Sequence, residues 1–241
     1  MSEWKPKRFW TAASIAPEGD GFTVLLDGRK VKTPAKASLI VPSEALAQEI
    51  AAEWDAQEGV VDPTRMPFTR SANAAIDKVA HQMAEVAGLI AAYGDSDLLC
   101  YRAEEPAELV ARQAQGWDPL LDWARDGQNL DLQTVSGLVH RPQKPEALAM
   151  AAALTQAMDA FQLTAFHDLV GLSGSFVLGL AATRGFASPE TLWALSRIDE
   201  TWQEEQWGTD DEAAAFAEGK RQAFLHAARF YFLTGEAAPG G

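Results

Sequence analysis

The sequence predicts an α+β protein: a small antiparallel N-terminal β-meander domain followed by a larger all-helical C-terminal domain. Three observations carry this. Residues 22–33 place β-prone runs on either side of Asp27-Gly28, a pair that tolerates the two positive φ angles of a type I′ hairpin turn. From Ser43 onward the apolar residues switch to a three- and four-residue period, first as Leu46, Ile50 and Trp54. A longer seam follows, Ile76, Val79, Met83, Val86, Ile90 and Tyr93, with the stepping of a helix packed on other helices.

In chain order, Arg8–Thr11 and Leu39–Val41 are short β-prone pieces flanking the hairpin, giving about four strands. Pro42-Ser43-Glu44 caps a helix that Gly59 ends, with Trp54 read as core. The connector 60–67 holds two prolines, so the domains are expected at 1–66 and 67–241. One long helix is expected over 69–93. A second runs from Pro106 to about Gly116 and is interrupted at Trp117-Asp118-Pro119, with Asp118 as a new N-cap. Residues 128–145 read as linker with a short strand near 130–135. Helices resume at Pro145, with Leu148, Ala152, Met158 and Phe161 inward. The uncharged stretch Leu169–Thr183 spans about 22 Å as a helix, too short for a bilayer, and reads as a buried central helix with Gly171, Ser175 and Gly179 as a smooth packing strip. Ser188-Pro189 opens a helix that Gly208 closes. Residues 212–233 form a last amphipathic helix carrying Phe216, Phe224, Phe230 and Tyr231, and the tail from about 235 is expected to be disordered.

A chain of 241 residues is long enough for a self-sufficient core, and its single cysteine, Cys100, rules out an intrachain disulfide framework and reads as a buried thiol. The net charge of −14 argues against nonspecific nucleic-acid binding. That charge is uneven: residues 1–41 hold seven basic and four acidic residues, a net +3, so the remaining 200 carry −17. A solvated basic hairpin explains this most simply. The start lacks the apolar core of a secretory signal, which leaves a cytoplasmic protein or an already mature form.

Few residues offer chemistry. Neither GxxxxGK[ST] nor GxGxxG occurs, and His81, His140, His167 and His226 are scattered, without metal-ligand spacing. Asp95 and Asp97 lack the remaining ligands of a calcium loop and read as turn or capping residues; His167 and Asp168 are expected to point to different sides of a helix. No cofactor and no metal are expected. The densest cluster lies in 188–208, taken as one helix. One face would bear Leu192, Leu195, Asp199, Trp202 and Gln206. Its neighbour would bear Trp193, Arg197, Glu200, Glu204 and Trp207, with Arg197 reaching Glu200 at i+3. Two carboxyls can divide acid and base roles, so Asp199, Glu200 and Glu204 form the one enzyme case, which lacks any oxyanion hole or metal in the sequence to complete it.

A series of short segments, in order, is more specific. Arg8-Phe-Trp10, Leu26-Asp-Gly-Arg29 with Lys32-Thr-Pro34, 41–47 (VPSEALA), 53–57 (EWDAQ), Met66-Pro67, 99–102 (LCYR), Glu105-Pro106, Trp117-Asp-Pro119 and 199–203 (DETWQ) with Trp207-Gly208 resemble the assembly chaperones of F-type ATP synthase that bind the α subunit of its catalytic head. The resemblance runs from about residue 8 to 232. It implies a protein without catalytic activity that binds the unassembled α subunit until β subunits replace it. It also implies a functional acidic residue at Glu200, with Asp199 its ambiguous neighbour, and a bacterial cytoplasmic location, the relatives of organelles acting in the mitochondrial matrix. The expected partner-binding residues are Glu200, Asp199, Arg197, Trp193, Glu204 and Trp207, on a chain that is monomeric when free. An enzyme using the carboxylate cluster, or a scaffold for another protein, are the alternatives.

Overall fold

The structure is a computed structural model and describes residues 7–137 and 139–235; the expected disordered tail lies outside these residues except for Gly235. The chain divides into two compact units, residues 7–82 with Ala160–Thr164 and 229–235, and Met83–Asp159 with Ala165–Ala228.

The first unit is built on an antiparallel sheet. Strand β1 (Ala13–Glu18) pairs with β2 (Gly21–Leu26), and the other edge of β2 takes β3 (Arg29–Lys30) at Leu25 and Leu26 and β4 (Ile40–Val41) at Phe22 and Thr23. Asp27 and Gly28 have φ of 46° and 81°, the two positive values that the predicted turn requires. Arg8–Thr11 is not a strand. Its place is taken by β1, whose Ala and Pro residues carry little β-propensity and are tolerated at an edge. Gly21 has no alternative, since a Cβ there would lie 2.4 Å from the Val41 carbonyl oxygen.

Helix α1 (Glu44–Asp55) covers β1 and β2, burying Leu46, Ala47 and Ile50. Ser43 accepts from the Leu46 amide at 3.1 Å, as its cap position predicts, and donates to the Leu233 carbonyl. Trp54 is half-buried at the unit's surface rather than in its core, edge-on to the buried Trp10 with ring centroids 5.3 Å apart. The carboxylate of Glu53 accepts from the amides of Phe68 and Thr69 at 2.6 and 2.8 Å and so caps helix α2 (Pro67–Asp77) from outside it. Desolvation raises its pKa against these hydrogen bonds.

The expected long helix over 69–93 is broken. After α2 comes a 3-10 turn, Val79–His81, and α3 (Met83–Ala91) starts afresh in the second unit. There α3 packs on α5 (Pro145–Gln156), whose inner face is Ala147, Ala151 and Thr155. Helix α4 (Ala107–Gln128) runs straight through Pro119, so Asp118 is no N-cap; its carboxylate instead pairs with Arg102 at 2.7 Å. Short strands β5 (Tyr101–Arg102) and β6 (Val135–Ser136) pair in parallel, the latter at the edge of the predicted 130–135 strand.

The uncharged stretch is a helical hairpin, not one helix. Helix α6 (Ala160–Ser173) stops at Gly174, whose φ is +72°, and α7 (Phe176–Thr183) is wholly buried. Of the expected strip Gly171, Ser175 and Gly179, Gly179 is a close contact, where a Cβ would lie 2.7 Å from Val170 Cγ2, Ser175 is buried as the N-cap of α7, and Gly171 is exposed. Asp97 is the capping residue the sequence implies. It is fully buried, accepting from the Leu99 and Val177 amides at 2.9 Å each, the second in the first turn of α7. Burial pushes its carboxyl up to about 6 although four donors, including Ser175 and Phe176, oppose the rise. Cys100 is buried, and burial pushes its thiol up as well. His167 and Asp168 do meet, at 3.1 Å, against the expectation from helical geometry. Helices α8 (Pro189–Ser196), α9 (Ile198–Trp207) and α10 (Asp211–Thr234) complete the chain. Among the described residues no helix is long and apolar enough to cross a membrane.

Candidate partner-binding site

The stretch 188–208 is two helices. Ser188 caps α8, accepting from the Thr191 amide at 3.2 Å with Pro189 at the first helical position, as predicted. Helical geometry then lapses at Arg197, with φ −112° and ψ 15°, and α9 restarts from the Arg197 carbonyl, which accepts from the Thr201 amide at 2.8 Å. Neither glycine nor proline marks this break. It comes from packing on α4. Trp117 donates its indole N–H to the Leu195 carbonyl at 2.8 Å, satisfying one acceptor freed at the end of α8, and Gly116 lets Leu195 and Ile198 approach to where its own Cβ would stand.

The break divides the expected faces. Trp193 is 6% exposed and packs on Phe224, with ring centroids 5.7 Å apart, so it belongs to the interior of the second unit and leaves the surface stripe. Asp199, at the start of α9, is tied inward by Gln113, whose Nε2 donates to it at 2.6 Å while the Gln113 Oε1 accepts from the Ala103 amide at 2.8 Å. Leu192 docks as expected. Trp202 is only half-buried, beneath the Arg112 guanidinium at 5.1 Å from its ring centroid, and Gln206 is exposed.

What remains on the outer face of α9 is Arg197, Glu200, Glu204 and Trp207, stepping by three, four and three. Arg197 Nη1 donates to Glu200 Oε1 at 2.7 Å, and its Nη2 lies 3.8 Å from Glu204. The Glu200 side chain is 46% exposed, and Trp207, at 79%, is almost free of the protein. Beside this stripe Arg112 makes a bidentate pair with Glu205 at 2.8 and 2.9 Å, which holds the Glu205 carboxyl below its usual range. Sequence reasoning missed Arg112, Gln113 and Glu205 as parts of this face; their partners lie 86 and 93 positions away, and no local pattern announces them. Phe216 of the last amphipathic helix is exposed, with Lys220 over its ring at 4.7 Å.

A half-exposed carboxylate held by one arginine is suited to a reversible contact, and a solvated aromatic next to it supplies an apolar anchor. Among the described residues no three His, Cys, Asp or Glu side chains gather as a metal site.

Comparison with known proteins defines the class first: a chaperone of this α+β architecture. The crystal structure of Atp12 from Paracoccus denitrificans superposes with a TM-score of 0.94 at 49% identity, covering 97% of this chain and all of that one. A lysine-for-aspartate variant of the same bacterial protein matches equally well. The mitochondrial protein atp12 of Schizosaccharomyces pombe is 26% identical over 219 residues, 86% of this chain and 75% of that one. Residues 7–125 match the family described as ATP12 chaperone protein. The chain belongs to the ATP12 family of ATP synthase assembly chaperones, which act by binding and not by catalysis.

Proposed function

We propose that this chain binds the unassembled α subunit of F-type ATP synthase, keeps it from aggregating until β subunits take its place, and does so through the outer face of α9. Glu200 is the docking carboxylate in this reading, Arg197 holds it, Glu204 extends the charge, and Trp207 is the anchor. Asp199 acts from behind, fixing α9 to Gln113. The observation that carries the proposal is the combination of a 46% exposed, singly paired Glu200 with an exposed Trp207 about two turns further on the same helical face. A charge with water on one side is released more readily than a buried pair, and a client that must be handed on needs that. The chain is proposed to be cytoplasmic in a bacterium and monomeric when free.

The test is coexpression with isolated α subunit. The wild-type chain should raise soluble α subunit and travel with it on gel filtration. Glu200→Lys should weaken the complex at least about tenfold, about 1.4 kcal/mol, with its own melting temperature unchanged. Soluble α subunit at the same level without the chain, or with the lysine variant, would overturn the proposal.

A further inference from the structure

The first unit carries a cavity of about 230 Å³ that none of the α9 residues touches. Its buried wall includes Trp10 and Leu26, with the half-buried Trp54 beside them, and Phe9 stands at its mouth, 68% exposed. Lys7, Arg29 and Lys32 surround it, all exposed and without an ion pair among the described residues; Lys30, also at the rim, is held by Glu18 at 2.5 Å. The nearby acid Asp27 is occupied by the Thr11 and Ala12 amides. Three cations without an ion pair among the described residues, of which Arg29 also lies in the field of Asp27, surround an aromatic pocket on a chain of net charge −14, a local reversal of the protein's field.

Two further facts narrow the occupant. The cavity is smaller than the roughly 300–1,000 Å³ typical of a site for a whole small molecule, which fits a single large side chain better than a cofactor. The rest of the lining, Val31 and Val61, is buried and apolar, and the Trp10 and Trp54 indole nitrogens, which have no hydrogen-bond partner among the described residues, are sealed inside the packing, so the wall offers shape and apolar contact rather than hydrogen bonds. An occupant bringing one apolar side chain between carboxylates complements both the lining and the cationic rim.

We propose that this cavity is a docking site for an acidic peptide segment of a partner protein, with one aromatic or large aliphatic side chain in the pocket and flanking carboxylates on Lys7, Arg29 and Lys32. It goes beyond the α-subunit reading, since it lies in the first unit and stands whether or not the face of α9 binds its client. The basic hairpin that reads from sequence as a solvated charge run becomes a rim with a use.

The probe is the acetylated, amidated peptide Glu-Asp-Phe-Asp-Glu, titrated into the full ¹⁵N-labelled chain while the Trp10 and Trp54 indole signals are followed. Saturable shifts of these two signals in the millimolar range are expected. Replacing the central phenylalanine by alanine, or the four acids by their amides, should each weaken binding at least about tenfold. The same loss is expected for the wild-type peptide on Lys7→Glu with Lys32→Glu, and on Phe9→Ser, all surface changes that leave melting unaltered. No saturable shift, equal binding of the amide peptide, equal binding of the alanine peptide, or shifts produced only by anionic vesicles or RNA would each overturn the proposal. Loss of α-subunit binding in Glu200→Lys leaves these titrations untouched, so the two readings fail separately.

Discussion

Asp97→Asn tests the account of how the second unit is held together. The carboxylate joins the Leu99 turn to the start of α7 through one oxygen each, at 2.9 Å to the Leu99 and Val177 amides. Asparagine keeps one acceptor but turns an NH₂ toward the other amide, donor against donor. At about pH 7.5 the variant should lose about 1–3 kcal/mol, seen as a fall in melting temperature of roughly 3–10 °C for a chain of this size. The pH dependence is the sharper half. Burial raises this carboxyl from 3.8 to about 6, so the folded state takes up its proton before the unfolded chain does. Its contribution is therefore fully present below 3.8 and is lost as the pH rises through about 6. That difference is worth about 3 kcal/mol in all, and roughly half of it falls between about pH 7.5 and about pH 5. The melting temperature of wild type minus that of Asp97→Asn should thus widen by about 3–6 °C on acidification over this range, measured by differential scanning calorimetry. A difference constant to within about a degree would mean that Asp97 titrates normally and that the burial argument is wrong.

Other substitutions separate structure from binding. Glu200→Gln should change the melting temperature by no more than about 2 °C, because a half-exposed pair contributes at most about 1 kcal/mol, while weakening α-subunit capture; a large thermal loss would make Glu200 structural. Gln113→Leu should cost about 2–3 kcal/mol in urea unfolding, since it strands both Asp199 and the Ala103 amide, and a neutral result would remove Gln113 as the residue that fixes α9. Gly21→Ala forces a Cβ against the Val41 carbonyl and should lower stability by about 1–3 kcal/mol; an unchanged urea midpoint would show that β4 can be displaced freely.

The parts of the fold that could be read in advance are those written in a few neighbouring residues. Asp27-Gly28 needs only its own two φ angles, Ser43 and Ser188 need only an amide three residues ahead, and Arg197 meets Glu200 one helical turn on. The misreadings share a cause. Lys78, Ser175 and Arg197 interrupt apolar periodicities that look continuous, and at the last two the reason lies elsewhere in the chain: Asp97 caps α7 from 80 positions away, and Trp117 takes the carbonyl of Leu195. Pro119 shows the converse. A proline that should end a helix stays inside α4, which packs against α7 and α9. Helical stability in a folded protein comes mainly from such packing, and here it offsets one missing hydrogen bond.

The break at Arg197 has a consequence for the proposed face. In a continuous helix from 188 to 207, Trp193 and Glu200 would lie two turns apart on one stripe, and the buried indole would drag the carboxylate toward the interior. Interrupting the helix uncouples them. Trp193 can go fully into the unit against Phe224, while α9 is re-aimed by its own anchors, Ile198 inside and Asp199 on Gln113. The outward stripe is then free to carry Arg197, Glu200, Glu204 and Trp207 with nothing of its own to bury. A chaperone has to present charge and an aromatic side chain without spending them on its own fold. Two short helices with a packed joint achieve this where one long helix could not, because the residues that stabilise α8 and those proposed to meet a partner no longer have to share a phase.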